Sequence, residues 1–329
     1  MRVSARKLLL PALFALFLGF KLALGSNLPC QAASQEALSG FELYTKRQYA
    51  GAYPKLKVAR DEDPSDPSIN YYFASCASEL GKRAEAIDAF NRFFVISTAT
   101  NAYMAAAEKY YKSLQGAVHP YSCKFNAVLI HWSKASSPIR IYVTDGLELP
   151  QGYAGTITNS ESLSRLRAYL KSSAFYRTLS VSPGYKKGMY SAVTTGLNRW
   201  QFLTTAKILS YQLVNAPEFA DVIVFWCGSL KGRQGYTTYP QSTGNAYPLA
   251  SIPGDPVIIQ LVTSDNQSVL RDATHEFGHV WGLQHSNNPT DIMCAALSSN
   301  SAQISSNDIL TVRTLYEMAP DIYLDSPKR

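Results

Sequence analysis

The apolar positions divide the chain near residue 115. Over residues 35–115 they recur at helical spacing in a background rich in Ala, Leu, Tyr and Lys. Two breaks interrupt them, one at Asp63-Pro64-Ser65-Asp66-Pro67 and one at Gly81. This predicts a run of helices joined by short turns. Residues 115–137 form a boundary, and from Ser137 the pattern changes. Pro138 to Val143 is β-rich and partly alternating, and Ala220–Phe225 and Val257–Val262 read as strands. Between them, residues 184–203 place Tyr190, Val193, Leu197 and Trp200 on one face of a helix. Residues 267–282 and 306–318 read as two further helices, and the Gly-, Tyr-, Thr- and Pro-rich stretch 228–248 as a long surface loop. The expectation is an α+β domain over residues 120–329, preceded by an all-α module over residues 35–115.

The helical module carries an internal repeat. Gly40 and Ala74, Ala52 and Ala86, and Leu56 and Phe90 are each 34 residues apart. Small residues at the first two pairs let antiparallel helices pack closely, and the bulky third pair fills the groove between them. The stretch from 35 to about 97 resembles two tetratricopeptide repeats, with a helix near 99–114 as a cap; an unrelated pair of helical hairpins is the alternative. The resemblance implies a protein-binding module without chemistry.

The N-terminus changes the reading of charge and compartment. A basic start, the apolar run Leu8–Phe20 and the small residues Ala23 and Gly25 fit a signal peptide over residues 1–25. At 13 residues the apolar run is short of the ~20 a spanning helix needs, and Pro11 interrupts it. A retained anchor and lipidation at Cys30 stay open as alternatives. Export places the protein outside the cytoplasm, secreted or periplasmic, with membrane association only if the segment is retained. Without Arg2, Arg6, Lys7 and Lys21, Lys+Arg falls from 31 to 27 against 24 acids, so the formal charge falls from +7 to +3. No basic run with interleaved aromatics remains, which argues against a nucleic-acid partner. Cys30, Cys76, Cys123, Cys227 and Cys294 lie far apart; one or two disulfides or buried thiols both fit them.

The chemistry concentrates in His275-Glu276-Phe277-Gly278-His279-Val280-Trp281-Gly282-Leu283-Gln284-His285, which holds three of the five His of the chain. His275 and His279 are four apart, so on a helix both imidazoles reach one ion. Gly282 falls where the helix must end and takes φ > 0 without strain, letting the chain turn back to deliver His285 as a third ligand. Three neutral nitrogens plus a water make an open tetrahedral Zn2+ site. Glu276 stands beside the fourth position as general base to a zinc-activated water, and the reaction this predicts is hydrolysis of a peptide bond.

The segment looks like the zinc signature of the metzincin metallopeptidases. Met293, in Asp291-Ile292-Met293, resembles the Met-turn below the metal in that clan. The link from His285 to Met293, with its Ser286 and Pro289-Thr290, is similar to the matrixin (matrix metalloproteinase) branch. Ala220–Phe225, Leu249–Gly254 and Asn307–Tyr316 look like the matrixin first-Asp strand, edge strand and closing helix. The resemblance covers residues 137–318 and implies a twisted mixed sheet with an active-site helix and a Met-turn. It further implies an exported endopeptidase acting on polypeptides, whose substrate pairs with an edge strand near Ala246–Ile252. The chain departs from the pattern in four ways. No His stands where matrixins keep a second, structural zinc, so one zinc is expected. No inhibitory cysteine segment precedes the domain, and the scarcity of acids over 228–256 leaves calcium without support. Ala295 stands where some metzincins place a Tyr ligand. The competing reading is a catalytically silent zinc-binding scaffold, which would have no need of Glu276.

Overall fold

The structure is a computed structural model describing residues 34–98, 100–125, 128–132, 136–150, 153, 160–170, 172–239, 256–295 and 303–318. The expected signal segment 1–25, Cys30, the expected edge strand 246–252 and Ala296-Leu297 lie outside the described residues. No helix among the described residues is long and apolar enough to cross a membrane. The chain divides into two compact units, Met1–Ala89 and Phe90–Arg329.

The described part of the first unit is helical. Ser34 caps the helix Gln35–Thr45 by accepting from the Ala37 amide at 3.2 Å, as an N-cap Ser does. Helix Tyr49–Glu62 lies close against it: a Cβ at Gly40 would come within 2.8 Å of the Leu56 side chain, so only glycine fits that approach. Asp66 caps helix Pro67–Glu79 with Pro67 in its first turn, where the missing N–H costs nothing. Ala52, Leu56, Ala74 and Ala86, four of the six positions in the 34-residue pattern, are fully buried in this unit.

The second unit begins inside helix Arg83–Ile96 and continues with helix Met104–Leu114. Its strands among the described residues are β1 Lys124–Phe125, β2 Val128–Leu129, β3 Ile139–Glu148, β4 Tyr211–Leu213, β5 Val222–Cys227, β6 Gly235–Thr238 and β7 Val257–Val262. The first two pair with each other, and the other five form one mixed sheet in the order β4-β3-β5-β7-β6. Neighbours are parallel except β6, which runs antiparallel to β7. This is the α+β mixed sheet expected of a metzincin.

Strand β5 reads Val-Ile-Val-Phe-Trp-Cys because both of its faces are covered. Val222, Val224 and Trp226 enter the main core with helices Lys187–Asn198 and Asn266–Val280. Ile223 and Phe225 point the other way, toward Leu166, Leu170 and Tyr176. On the main-core side, Gly196 lets the two helices touch. A Cβ there would lie 3.1 Å from the Leu270 carbonyl and from the Thr274 amide.

Two sequence expectations differ from the structure. Residues 228–248, read as loop, contain β6, where Tyr236 and Thr237 pair with Gln260 and Ile259 of β7. Aromatic and β-branched residues suit such a pleated, half-buried edge, and the flanking Gly residues hid the signal. The residues 90–114, read with the helical module, belong to the second unit. Val95 and Ile96 are fully buried in the same core as the sheet, and the Cys123 amide donates to the Val95 carbonyl at 3.0 Å. Helical periodicity reports that a face is buried, not what buries it. Helices Ser160–Leu170 and Ser173–Tyr176 and the short β4 were not anticipated. Of the described cysteines, Cys76, Cys123 and Cys227 are buried free thiols, and Cys294 is buried.

Candidate metal centre and active site

Helix Asn266–Val280 carries the site. Asp265 caps it, accepting from the Gln267 and Ser268 amides at 2.9 and 3.0 Å. His275 and His279 stand one turn apart, their ring centroids 4.9 Å from each other. After Trp281 the chain reverses at Gly282, which has φ +93°. The Leu283 amide donates back to the Gly278 carbonyl at 3.0 Å, satisfying a carbonyl that the helix end leaves free. The turn is packed hard against β2's continuation: a Cβ at Gly282 would meet the Ile130 carbonyl oxygen at 1.9 Å. The chain then brings His285 to within 4.9 Å of His279 and 5.3 Å of His275, ring centre to ring centre.

The ligand atoms of His275, His279 and His285 all lie within 4.8 Å of one another. Backbone carbonyls set the orientation of His275 and His279. His275 Nδ1 lies 2.7 Å from the Ile292 oxygen and His279 Nδ1 2.8 Å from the Leu283 oxygen. A carbonyl only accepts, so each Nδ1 carries the proton and each Nε2 keeps its lone pair free, as a metal ligand requires. Burial keeps the imidazoles neutral. It pulls His275 down to about 4, His279 well below the usual range, and His285 down as well, the latter helped by the Arg233 charge. Three neutral nitrogens converging on one point fit Zn2+.

Glu276 is 5% exposed and faces the same cleft, and burial pushes its carboxyl up to about 8. Thr237 opposes this by donating its hydroxyl to Oε2 at 2.5 Å. The cleft holds about 610 Å³ and is lined by Phe125, Arg233, Thr237, Tyr239 and Gln284 besides the three His and Glu276.

Met293 lies directly beneath the helix. A Cβ at Gly278 would sit 2.1 Å from its sulfur, so the glycine in the middle of the motif exists to admit the methionine. The turn bearing Met293 is tied down by groups to which the sequence reading gave no such role. Ser286 donates to Asp291 Oδ2 at 2.5 Å, and its amide to the Met293 carbonyl at 2.9 Å. Asp308, fully buried in helix Ser306–Met318, accepts from the Ile292 amide at 3.0 Å and from the Tyr121 hydroxyl at 2.8 Å. Ile292 is thus held by Asp308 on its N–H while its carbonyl orients His275. The one signal for this in the sequence was an acid in the first turn of the last helix, which also reads as an ordinary helix-end charge.

A family model described as Matrixin matches residues 187–317. The 72 kDa type IV collagenase of Gallus gallus is 39% identical over 56 residues, which are 17% of this chain and 8% of the collagenase. The chain therefore spans only a small part of the relative it matches.

Proposed function

We propose that this chain, which carries a matrixin domain over residues 187–317, is an exported zinc-dependent endopeptidase. Matrixins are zinc metallopeptidases; the site residues, the mechanism, export and the role of the helical unit are the further reading. One observation carries it: three imidazoles whose ligand atoms lie within 4.8 Å of one another, two of them with their Nδ1 protons committed to backbone carbonyls, beside a buried carboxylate in an open cleft. A scaffold that only held zinc would have no use for a carboxylate kept dry at that position.

In this reading His275, His279 and His285 hold one Zn2+. The bound ion supplies Lewis acidity, lowering the pKa of water and polarising a carbonyl oxygen. Glu276 takes the proton of the attacking water and delivers it to the leaving amine. A carboxyl raised by burial is poised for both steps once a cation shares its surroundings. Met293 and Gly278 support the helix from below, and Gly282 and the Ile292 carbonyl fix where the ligands point. The substrate is a polypeptide. Among the described residues β6 is the last strand of the sheet, and an extended substrate pairing along this side of the cleft gains main-chain hydrogen bonds with little sequence choice. The helical unit, which resembles tetratricopeptide repeats, recruits a protein, either substrate or anchor.

The test is Glu276→Gln in the zinc-loaded protein. It retains about one zinc per chain and loses cleavage of an unfolded polypeptide by about 10²–10⁴-fold, the usual worth of a general base. Cleavage within tenfold of the parent rules out Glu276 as the base; absence of cleavage in the parent itself supports the scaffold instead.

A further inference from the structure

Strand β6 faces the helix Asn266–Val280 with every second residue, as strand periodicity requires. Gly235, Thr237 and Tyr239 are the residues on that face. The Tyr239 hydroxyl donates to the His279 carbonyl at 2.9 Å. The Thr237 hydroxyl lies 2.5 Å from Glu276 Oε2 and 3.4 Å from the Glu276 carbonyl. Gly235 offers no side chain, and the space its Cβ would take is filled by the carboxylate: that Cβ would lie 2.6 Å from Oε1. Both oxygens of Glu276 are therefore located by one strand, one by a donor and the other by a gap. The strand is itself fixed by its register, with Thr237 opposite Ile259 and Gly235 opposite Leu261 of the buried β7.

We propose that Thr237 is a positioning residue for the general base, holding the Glu276 carboxylate against β6 in the orientation that accepts the proton, with Gly235 leaving room for it. The inference rests on the peptidase reading above. A glutamate side chain has three rotatable bonds, and the donated hydroxyl selects one rotamer before substrate arrives. Neither residue touches the three imidazoles through a hydrogen bond, so metal binding and base orientation are separable.

Three variants of the full-length zinc-loaded protein test this. Thr237→Val keeps the shape and deletes the donor; Thr237→Ser keeps the donor; Gly235→Ala keeps the donor and fills the gap. The expected result is a tenfold or greater fall in kcat for Thr237→Val with KM within twofold of the parent, recovery to within threefold in Thr237→Ser, and a fall in Gly235→Ala. Zinc content stays at the parent's level in all three. The Thr237→Val loss disappears when it is made in a Glu276→Gln background, because the hydroxyl acts only through that carboxylate. A second readout needs no turnover: in urea unfolding of the zinc-stripped protein, the effects of Thr237→Val and Glu276→Gln are non-additive. The inference is overturned by kcat of Thr237→Val within twofold of the parent, by a Thr237→Ser variant as impaired as Thr237→Val, or by additive effects in both assays. A parent without turnover removes the peptidase reading and the positioning role together, whereas an active parent that loses cleavage in Glu276→Gln but not in Thr237→Val removes the positioning role alone.

Discussion

Replacing Gly282 by Ala adds one methyl group at the place where helix, turn and third ligand meet. Two costs follow. The residue sits at φ +93°, where a non-glycine residue pays about 1–3 kcal/mol. The methyl carbon would also stand 1.9 Å from the Ile130 carbonyl oxygen and 3.0 Å from the Leu315 side chain. The leucine can rotate away, but the carbonyl is backbone and yields only if the turn moves by on the order of 1 Å, an overpacking penalty of about 1–3 kcal/mol. Together the two terms give about 2–6 kcal/mol, a large share of the ~5–15 kcal/mol that stabilises an ordinary domain. The turn cannot move without carrying its neighbours. The Leu283 carbonyl that orients His279 comes one residue later, and His285 three residues later. Zinc affinity should therefore fall along with stability. Urea unfolding of the metal-free protein measures the first effect, and titration of zinc against a competing chelator the second. A Gly282→Ala variant within about 0.5 kcal/mol of the parent, with unchanged zinc affinity, would show that neither cost is real, because such a value is ordinary for a surface substitution.

Removing one ligand, in His279→Ala, should drop the metal content of the purified protein from about one zinc per chain to a small fraction, read by elemental analysis. Acid should displace zinc only late. The folded imidazoles are held below the usual His range, His275 at about 4, so protons compete with the metal only below pH 6.5; a release midpoint above 6.5 in a pH titration would contradict that shielding. The same depression sets the sign for the metal-free protein: because these His bind fewer protons folded than unfolded, their contribution to stability is complete above 6.5 and is lost as pH falls from 6.5 toward 4, which thermal unfolding at stepped pH would follow. Val95→Asp should unfold the zinc-bearing unit, with loss of bound zinc, because it buries an unpaired charge in the sheet's own core; retention of zinc and of the unfolding midpoint would return residues 90–114 to the helical module.

What could be read from the sequence was whatever one element specifies alone. That His275 and His279 share one face follows from helix geometry, and Gly282 from the need to end that helix, so both were legible without any partner. The strands Val222–Cys227 and Val257–Val262 were legible because burial on both faces leaves an unbroken apolar run. Thr237, Asp308 and Gly278 were not, since each acts on something distant in the chain: Thr237 is 39 residues from the carboxylate it donates to, and Tyr121 is 187 residues from Asp308. A lone Thr in a Gly- and Tyr-rich stretch has the composition of a loop, and only the pairing of Thr237 with Ile259 turns its hydroxyl toward the helix. Gly278 marks the boundary between the two kinds of residue. Its position between His275 and His279 was plain, yet its reason lay 15 residues on in Met293, whose sulfur occupies the space a side chain would need. The motif and the Met-turn are thus one packing unit. A larger residue at 278 displaces Met293, and Met293 shares a peptide bond with the Ile292 carbonyl that aims His275, so the effect reaches that imidazole without touching it.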